Sequence, residues 1–339
     1  MNPAPLARGL DHLATLDRLT DLGLDNTMVS DAGLAKLAEL ASLKALVFQR
    51  SINMTNDGMA EIARLPKLTH LTLLYTRITD PGLTHLKQAK QLRLLDLRGS
   101  KVGDVGLAEL SDMKSLVALK LRSASVGDEG LAHLKNLKQL RGIAAEDAIL
   151  SDEGMAVFAG LTNLDDVDLM RVPISDDGVA QLAPLVKMRQ LILRGTYVGD
   201  DGLAHLAGMK QLRKLDLSET GVGDDGMAHL AGLNELTNLN LWNTMVGDDG
   251  VKHISKLPQL VWLNLDTSRI SDEGLAELGK IPNLTTLSLN ETAVTDAGLE
   301  HLKSAGKLRQ LNLRLTQVTP EGVAALQASL PELQIASDR

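Results

Sequence analysis

Seven of the eight histidines stand three places after a recurring glycine: His12, His85, His133, His205, His229, His253 and His301. Imidazole is the commonest metal ligand, so such a column raises the question of a metal centre. A centre needs three or four donors converging at about 2 Å. Most of these histidines are separated by multiples of 24 residues, which puts them on successive chain segments rather than around one point. The column reads as one flank of a repeated helix that duplication has copied.

The pairs Asp176-Asp177, Asp200-Asp201, Asp224-Asp225 and Asp248-Asp249 form a second set. Carboxylate oxygens suit calcium. A simpler chemistry accounts for them: the first aspartate caps a helix, and the second sits in its first turn, where the helix dipole favours negative charge. No nucleophile elbow G-x-S-x-G and no phosphate loop G-x-x-x-x-G-K-[S/T] is present, and Ser304 to Lys307 (S-A-G-K) lacks both the preceding glycine and the following hydroxyl. The chain has no cysteine, hence no thiol nucleophile, thiolate site or disulfide. These patterns predict no catalytic site, no metal and no cofactor.

The residues that could recognise something are cationic and aromatic. Arg98 and Arg122 are expected side by side on neighbouring strands with Lys120 close by. Like charges opposed on a sheet cost up to about 1 kcal/mol, so an anionic partner or the nearby Asp96, Glu146 and Asp168 must offset them. Met170, Arg171 and Arg194 continue the same stretch. Of only six aromatic residues, Phe48 and Phe158 fall on core positions, Tyr75, Trp242 and Trp262 on or beside a solvent-facing surface, and Tyr197 on a turn edge. Exposed aromatic and arginine side chains are what binding hot spots are enriched in.

The elements that position these residues repeat. One glycine recurs from Gly9 through Gly33, Gly58 and Gly82 to Gly322, always 24 residues apart except for the 25 between Gly33 and Gly58. A period in this range marks a solenoid, which grows by stacking and needs no new core. In the unit from Leu68 to Leu92, alternation around Leu71 and Leu73 reads as a short strand, Thr76 to Asp80 as a turn, and Leu83 and Leu86 as a helix. Asp80 ahead of Pro81 is the expected helix N-cap, as are Asp104, Asp128 and Asp200, with Thr319 replacing the aspartate before Pro320. Thirteen strands are expected from Leu19 to Leu308, paired in parallel, with helices on the opposite face.

L-T-H-L-T-L-L-Y-T-R-I-T-D-P-G-L (Leu68 to Leu83) resembles a leucine-rich repeat, L-x-x-L-x-L-x-x-[N/C/T]-x-[V/I], and its T-x-V-x-D-x-G-L continuation is similar to the subclass of F-box adaptors and bacterial repeat proteins. The resemblance spans essentially the whole chain. It implies an α/β fold: a right-handed leucine-rich-repeat solenoid, a horseshoe with a parallel β-sheet on its concave face and short helices on its convex face. It also implies a ladder at the turn, with Thr or Ser in place of the usual Asn or Cys, satisfying backbone groups of the neighbouring coil. That ladder is expected to fail at Ala124, Ala148 and Val172, near Ala145, which stands where a core leucine belongs.

The expected organisation is one leucine-rich-repeat domain over 1–339, with a partial repeat at 1–18, thirteen repeats over 19–329 and a degenerate final strand and cap at 330–339. The expected function is a non-catalytic protein-binding scaffold. Its partner-binding residues would be Tyr75, Arg98, Lys120, Arg122, Met170, Arg171, Arg194, Trp242 and Trp262. A second expectation, from the F-box resemblance alone, is substrate recognition for a ubiquitin ligase, although no F-box precedes the repeats. A third is self-association through the ends, at Leu10 or Leu333. A net charge of −8 argues against nucleic acid. No apolar run approaches the roughly 18 residues of a membrane helix. A monomer in the cytoplasm is expected, with export from a bacterial cell left open.

Overall fold

A computed structural model describes Leu13 and residues 16–338. They fall into two compact units, one ending at Leu164 and the other beginning at Asp165. Leu6, Leu10 and His12 lie outside the described residues.

The first unit carries β1 (Asp21–Gly23), β2 (Ala45–Gln49), β3 (His70–Leu74), β4 (Leu94–Asp96), β5 (Ala118–Arg122) and β6 (Gly142–Glu146), each paired in parallel with the next. The second carries β7 (Asp166–Asp168), β8 (Gln190–Ile192), β9 (Lys214–Asp216), β10 (Asn238–Asn240), β11 (Trp262–Asn264), β12 (Thr286–Ser288), β13 (Gln310–Leu313) and β14 (Gln334–Ser337), joined the same way. The last of these includes Ile335 but not Leu330 or Leu333 of the expected degenerate strand. A short helix follows each strand up to β13, running from Asp200 to Ala204 after β8 and from Asp248 to Ile254 after β10. Each unit is therefore a stretch of leucine-rich-repeat solenoid.

The register follows the period. Leu71 pairs with Leu95, 24 residues on, but Leu46 pairs with Leu71, 25 on. The extra residue is Asn53, exposed between Ile52 and the buried Met54, so the insertion is absorbed in a turn and the strands stay aligned. Leu68, Leu71, Leu73, Ile78, Leu83 and Leu86 of one coil are all fully buried, as are Phe48 and Phe158. With so few aromatics the core is a stack of aliphatic layers, each covered by the next.

Two expectations about the turn are corrected. The repeated aspartate does not cap its own helix. It occupies the first helical position, behind an extended Ser, Thr or Gly. Its Oδ1 instead accepts the backbone N–H of the residue opening the next coil's helix: Asp80 from Gly103 at 2.7 Å, Asp104 from Gly127 at 2.7 Å, Asp200 from Gly223 at 2.6 Å. Where that residue is Ser or Thr, Oδ2 accepts its hydroxyl as well, as Asp128 does from Ser151 and Asp296 from Thr319. Asn56 holds the same place and accepts from Thr79 N at 3.0 Å. The reason is geometric, because a side chain at the first helical position points towards the following coil. Thr319 does cap the last helix, accepting from Gly322 N.

The ladder expected at the turn holds at Ser51, whose hydroxyl donates to Leu24 O of the preceding coil at 2.7 Å, but is corrected at the threonines. Thr196, Thr220 and Thr244 donate to Leu193, Leu217 and Leu241 of their own coil, not the neighbouring one. The hydroxyl closes the turn after the strand. At Ala124 none is available, and Ser123 Oγ next to it reaches Val102 O of the preceding coil at 2.8 Å.

Candidate functional site: the open face of the sheet

Side chains on the sheet face opposite the leucines come from three positions in each strand motif, two residues apart. In the β9 motif these are Lys214, Asp216 and Ser218. In several coils the middle position bears on how far the strand runs. Where it is Asp or Asn, its side-chain oxygen takes the N–H two residues on: Asp96 from Arg98 at 3.2 Å, Asp216 from Ser218 at 2.9 Å, Asn240 from Trp242 at 3.2 Å. Strands β4, β9 and β10 end at that residue, whereas β3 and β5, with Thr72 and Lys120 there, run two residues further. The middle column is thus largely structural.

The residue after the third position adopts a left-handed conformation in coil after coil. It is Tyr75 (φ 51°), Gly99 (φ 73°), Asp147 (φ 59°), Arg171 (φ 58°), Gly195 (φ 67°) and Glu219 (φ 58°). The Gly, Asn and Asp in this column are the sequence signal for it. Left-handed backbone turns these side chains along the rim of the sheet. Tyr75 and Arg171, expected on the strand face, belong to this rim instead. The ring of Tyr75 lies over Gly99 in the next coil, with Arg50 6.0 Å from its centroid. The stem of Arg171 passes over Gly195.

In the first unit Lys120 and Arg122 stand on β5, and Arg98 lies two residues beyond the end of β4. Arg98 is bound by Asp96, at 3.1 Å from Nε and 2.8 Å from Nη2, and lies 3.5 Å from Glu146. Arg122 Nε lies 2.8 Å from Asp147 Oδ2 and 3.9 Å from Glu146. Glu146 and Asp96 are each only 5% exposed, so two buried carboxylates and Asp147 set the positions of both guanidinium groups. The hydrogen bonds that Arg98 donates to Asp96 hold its guanidinium above its ordinary pKa, against the opposing effect of burial. The like charges are offset from within the coil stack. Lys120 pairs in register with Asp96 and Ala144 and makes no ion pair among the described residues.

In the second unit Arg194 and Trp242 meet. The guanidinium carbon lies 5.0 Å from the indole centroid, while Nε donates to Glu219 Oε2 at 3.0 Å and Nη2 to Oε1 at 3.4 Å. Ser218 is fully buried, so Arg194 reaches across that strand to the second coil on. Met170 is half-buried on the coil before Arg194. Trp262 is the first residue of β11 and Trp242 follows the end of β10, so the tryptophans stand at different heights. Trp262 ends a shallow groove lined also by Gln190, Ile192, Lys214, Asp216 and Asn238. Sequence reasoning did not single out Glu219, Asp147, Gln190, Lys214 or Asn238. The two acids were hidden in the left-handed column and the other three among ordinary polar strand residues.

The histidine column lies on the outer helices, partly or fully exposed at His85, His133, His205, His229, His253 and His301. Among the described residues no three His, Asp or Glu side chains gather to hold a metal ion. No helix among them is long and apolar enough to cross a membrane.

Comparison with known proteins agrees with this geometry. A search of curated proteins found no match. Among solved structures, an internalin of Listeria monocytogenes is similar at 23% identity over 99% of this chain and 95% of that one, with a TM-score of 0.75. A leucine-rich-repeat protein of Leptospira interrogans is similar at 16% identity over 98% of both chains, with a TM-score of 0.59. A structure described as a TDR receptor is similar at 16% identity over 96% of this chain and 60% of that one, with a TM-score of 0.57. At these identities the likeness is one of fold. The family model described as a leucine-rich repeat region matches residues 50–335, and the chain belongs to that family.

Proposed function

We propose that the protein is a non-catalytic scaffold that binds a protein partner on the open face of its sheet, the face expected to be concave. The observation that carries this reading is the pre-set geometry of exposed anchor residues. Arg194 is fixed by Glu219 against Trp242, and Arg98 and Arg122 are fixed around Glu146. Side chains already ordered lose little freedom on docking, about 0.5–1.5 kcal/mol less for each rotamer-rich group. Arg and Trp held this way have the chemistry of hot-spot residues. The proposed contact residues are Arg98, Lys120, Arg122, Met170, Arg194, Trp242 and Trp262 on the face, with Tyr75 and Arg171 on its rim. The internalin and receptor structures that share the fold support a recognition role. Nothing comparable supports a ubiquitin-ligase adaptor, and that reading is not carried further.

The test is co-purification from native lysate with wild type beside two variants, Arg98→Glu/Arg122→Glu and Trp242→Ala/Arg194→Ala, each first shown to be folded. A protein captured by wild type and lost by either variant supports the scaffold. A partner retained by both places binding elsewhere and overturns it.

A further inference from the structure

In the first unit a groove of about 430 Å³ opens where β3, β4 and β5 begin, lined by Thr69, His70, Arg93, Leu94, Val117 and Ala118. Leu94, Val117 and Ala118 are half-buried and give it an apolar wall. No carboxylate lines it. Arg93 is exposed, and its side chain has no hydrogen-bond or ion-pair partner among the described residues. The equivalent arginine five coils on is paired, with Arg213 Nη2 3.0 Å from Glu235 of the next coil. At the place of Glu235 the coil after Arg93 has Ser115, whose hydroxyl lies instead 2.5 Å from Lys90 O and 2.7 Å from Leu92 O. Arg93 thus stands beside the apolar wall without the counter-ion that its equivalent has.

The backbone acceptors of the groove are already used. Thr69 O takes the N–H of both Arg93 and Leu94, and Arg93 O takes those of Val117 and Ala118. Thr69 Oγ1 and His70 Nδ1 are joined at 2.9 Å. The strongest free group is therefore the guanidinium, which can only donate. The surroundings carry the same sign. The segments 84–93, 108–117 and 132–141, which return the chain to β4, β5 and β6, hold three, one and three Lys or Arg residues against two acids, Glu109 and Asp112, in a chain whose net charge is −8. Lys90 and Lys114, both exposed, stand in one column with Lys138, 24 residues apart. Such an edge attracts acidic segments and repels basic ones. A carboxylate meeting Arg93 would form the strong, charge-assisted kind of hydrogen bond.

Resting on the reading that the chain binds a protein partner, we propose that the groove at Arg93 docks an acidic segment of that partner bearing an apolar side chain. A carboxylate of the segment takes the place that Glu235 holds for Arg213. The apolar side chain covers Leu94, Val117 and Ala118, and further acids face Lys90 and Lys114.

The experiment titrates the full chain with a blocked hexapeptide of alternating Glu and Leu and follows the Val117 methyl groups by NMR, with a Val117→Ile sample to identify them. The comparison probes are the Lys-and-Leu and the Glu-and-Ser hexapeptides. The expected result is a saturable shift with Glu and Leu, a weaker one with Glu and Ser and none with Lys and Leu, the binding fading as salt is raised. Arg93→Glu should reduce the apparent affinity about tenfold or more. Lys256→Glu, the same change of charge at an exposed lysine of the second unit, should reduce it less than about twofold. Arg93 has no ion pair to lose among the described residues, and unchanged resonances elsewhere will show that the variants fold. No shift with the Glu-and-Leu peptide, an equal shift with either comparison peptide, or equal losses in the two variants overturns the proposal. If the peptide fails while the Arg98/Arg122 or Trp242/Arg194 variant loses a captured protein, the groove assignment falls and the open-face reading stands. If the peptide binds while both of those variants keep the protein, the groove stands and the open-face reading falls.

Discussion

Asp224 Oδ1 accepts hydrogen bonds from two backbone amides of the next coil, Gly247 N at 2.6 Å and Gly250 N at 2.9 Å. The second bond exists because residue 250 has no side chain: a Cβ there would stand 2.6 Å from the same oxygen. Gly106 and Gly226 are held as closely against Asp80 and Asp200, each with a Cβ position 2.5 Å from the Oδ1. The recurring glycine and the recurring aspartate are therefore two halves of one joint, made between coils and not within them.

This joint predicts that Gly250→Ala destabilises the protein by about 2–4 kcal/mol, through overlap and a lost amide bond. Asp224→Ala should cost about 1–3 kcal/mol, since two amides lose their acceptor. Urea unfolding of the double variant should show less than the sum, because both changes break the same contact. Gly306, with nothing within 4 Å of its Cβ position, is the control, and Gly306→Ala should stay within about 0.5 kcal/mol. Equal losses at 250 and 306 would dispose of the joint.

Val172 occupies the threonine position in a fully buried site, 24 residues before Thr196, whose hydroxyl donates to Leu193 O at 2.7 Å. A hydroxyl at 172 would face Leu169 O in the same way. Val172→Thr is expected to be neutral to stabilising by up to about 1 kcal/mol, although a buried hydroxyl without an acceptor would cost about 1–3 kcal/mol. Thermal melting distinguishes the two.

Glu146→Gln removes the buried charge between Arg98 and Arg122 while keeping the side chain's shape. Breaking a fully buried pair costs about 3–5 kcal/mol, and with the two arginines 34% and 37% exposed the expected loss is about 1–3 kcal/mol. The loss should change little in high salt, because buried charges are weakly screened. An unfolding midpoint equal to wild type would mean that Glu146 is not the centre of this network.

Glu219→Ala frees the Arg194 guanidinium from its clamp over Trp242. Stability should change by less than about 1 kcal/mol, as for an exposed pair. Fluorescence excited selectively at the indole in a Trp262→Phe background, where Trp242 is the sole tryptophan, should show it more open to an added quencher. Unchanged quenching would mean that the stack does not depend on Glu219.

Leu315 is 65% exposed and holds the left-handed conformation at φ 56°. A non-glycine residue there costs about 1–2 kcal/mol, so Leu315→Gly should stabilise the last coil by about 0.5–1 kcal/mol despite the greater freedom of glycine in the unfolded chain. Hydrogen exchange around β13 and β14 would register it. Faster exchange would overturn the assignment of strain.

Most of the fold was legible in the residues themselves. The 24-residue period, the leucines and the single insertion fix the strands, the register and the core, because each is a local pattern copied from coil to coil. Alternation alone put Arg98 and Arg122 at the same position of adjacent repeats, 24 residues apart. The tertiary structure decided everything that depends on which coil a polar atom faces. Asp80 looked like a cap for the helix it begins, and only the stacking shows its oxygen turned to Gly103. Thr196 was expected to reach the neighbouring coil, and it closes its own turn. Glu219 and Asp147 sit one residue outside the alternating pattern, and their left-handed backbone carries them along the rim to Arg194 and Arg122. Burial patterns repeat in the sequence because every coil needs the same core. Hydrogen bonds repeat as well, but their partners are not legible there, because a carboxylate has several donors within reach and only the stacked backbone selects among them.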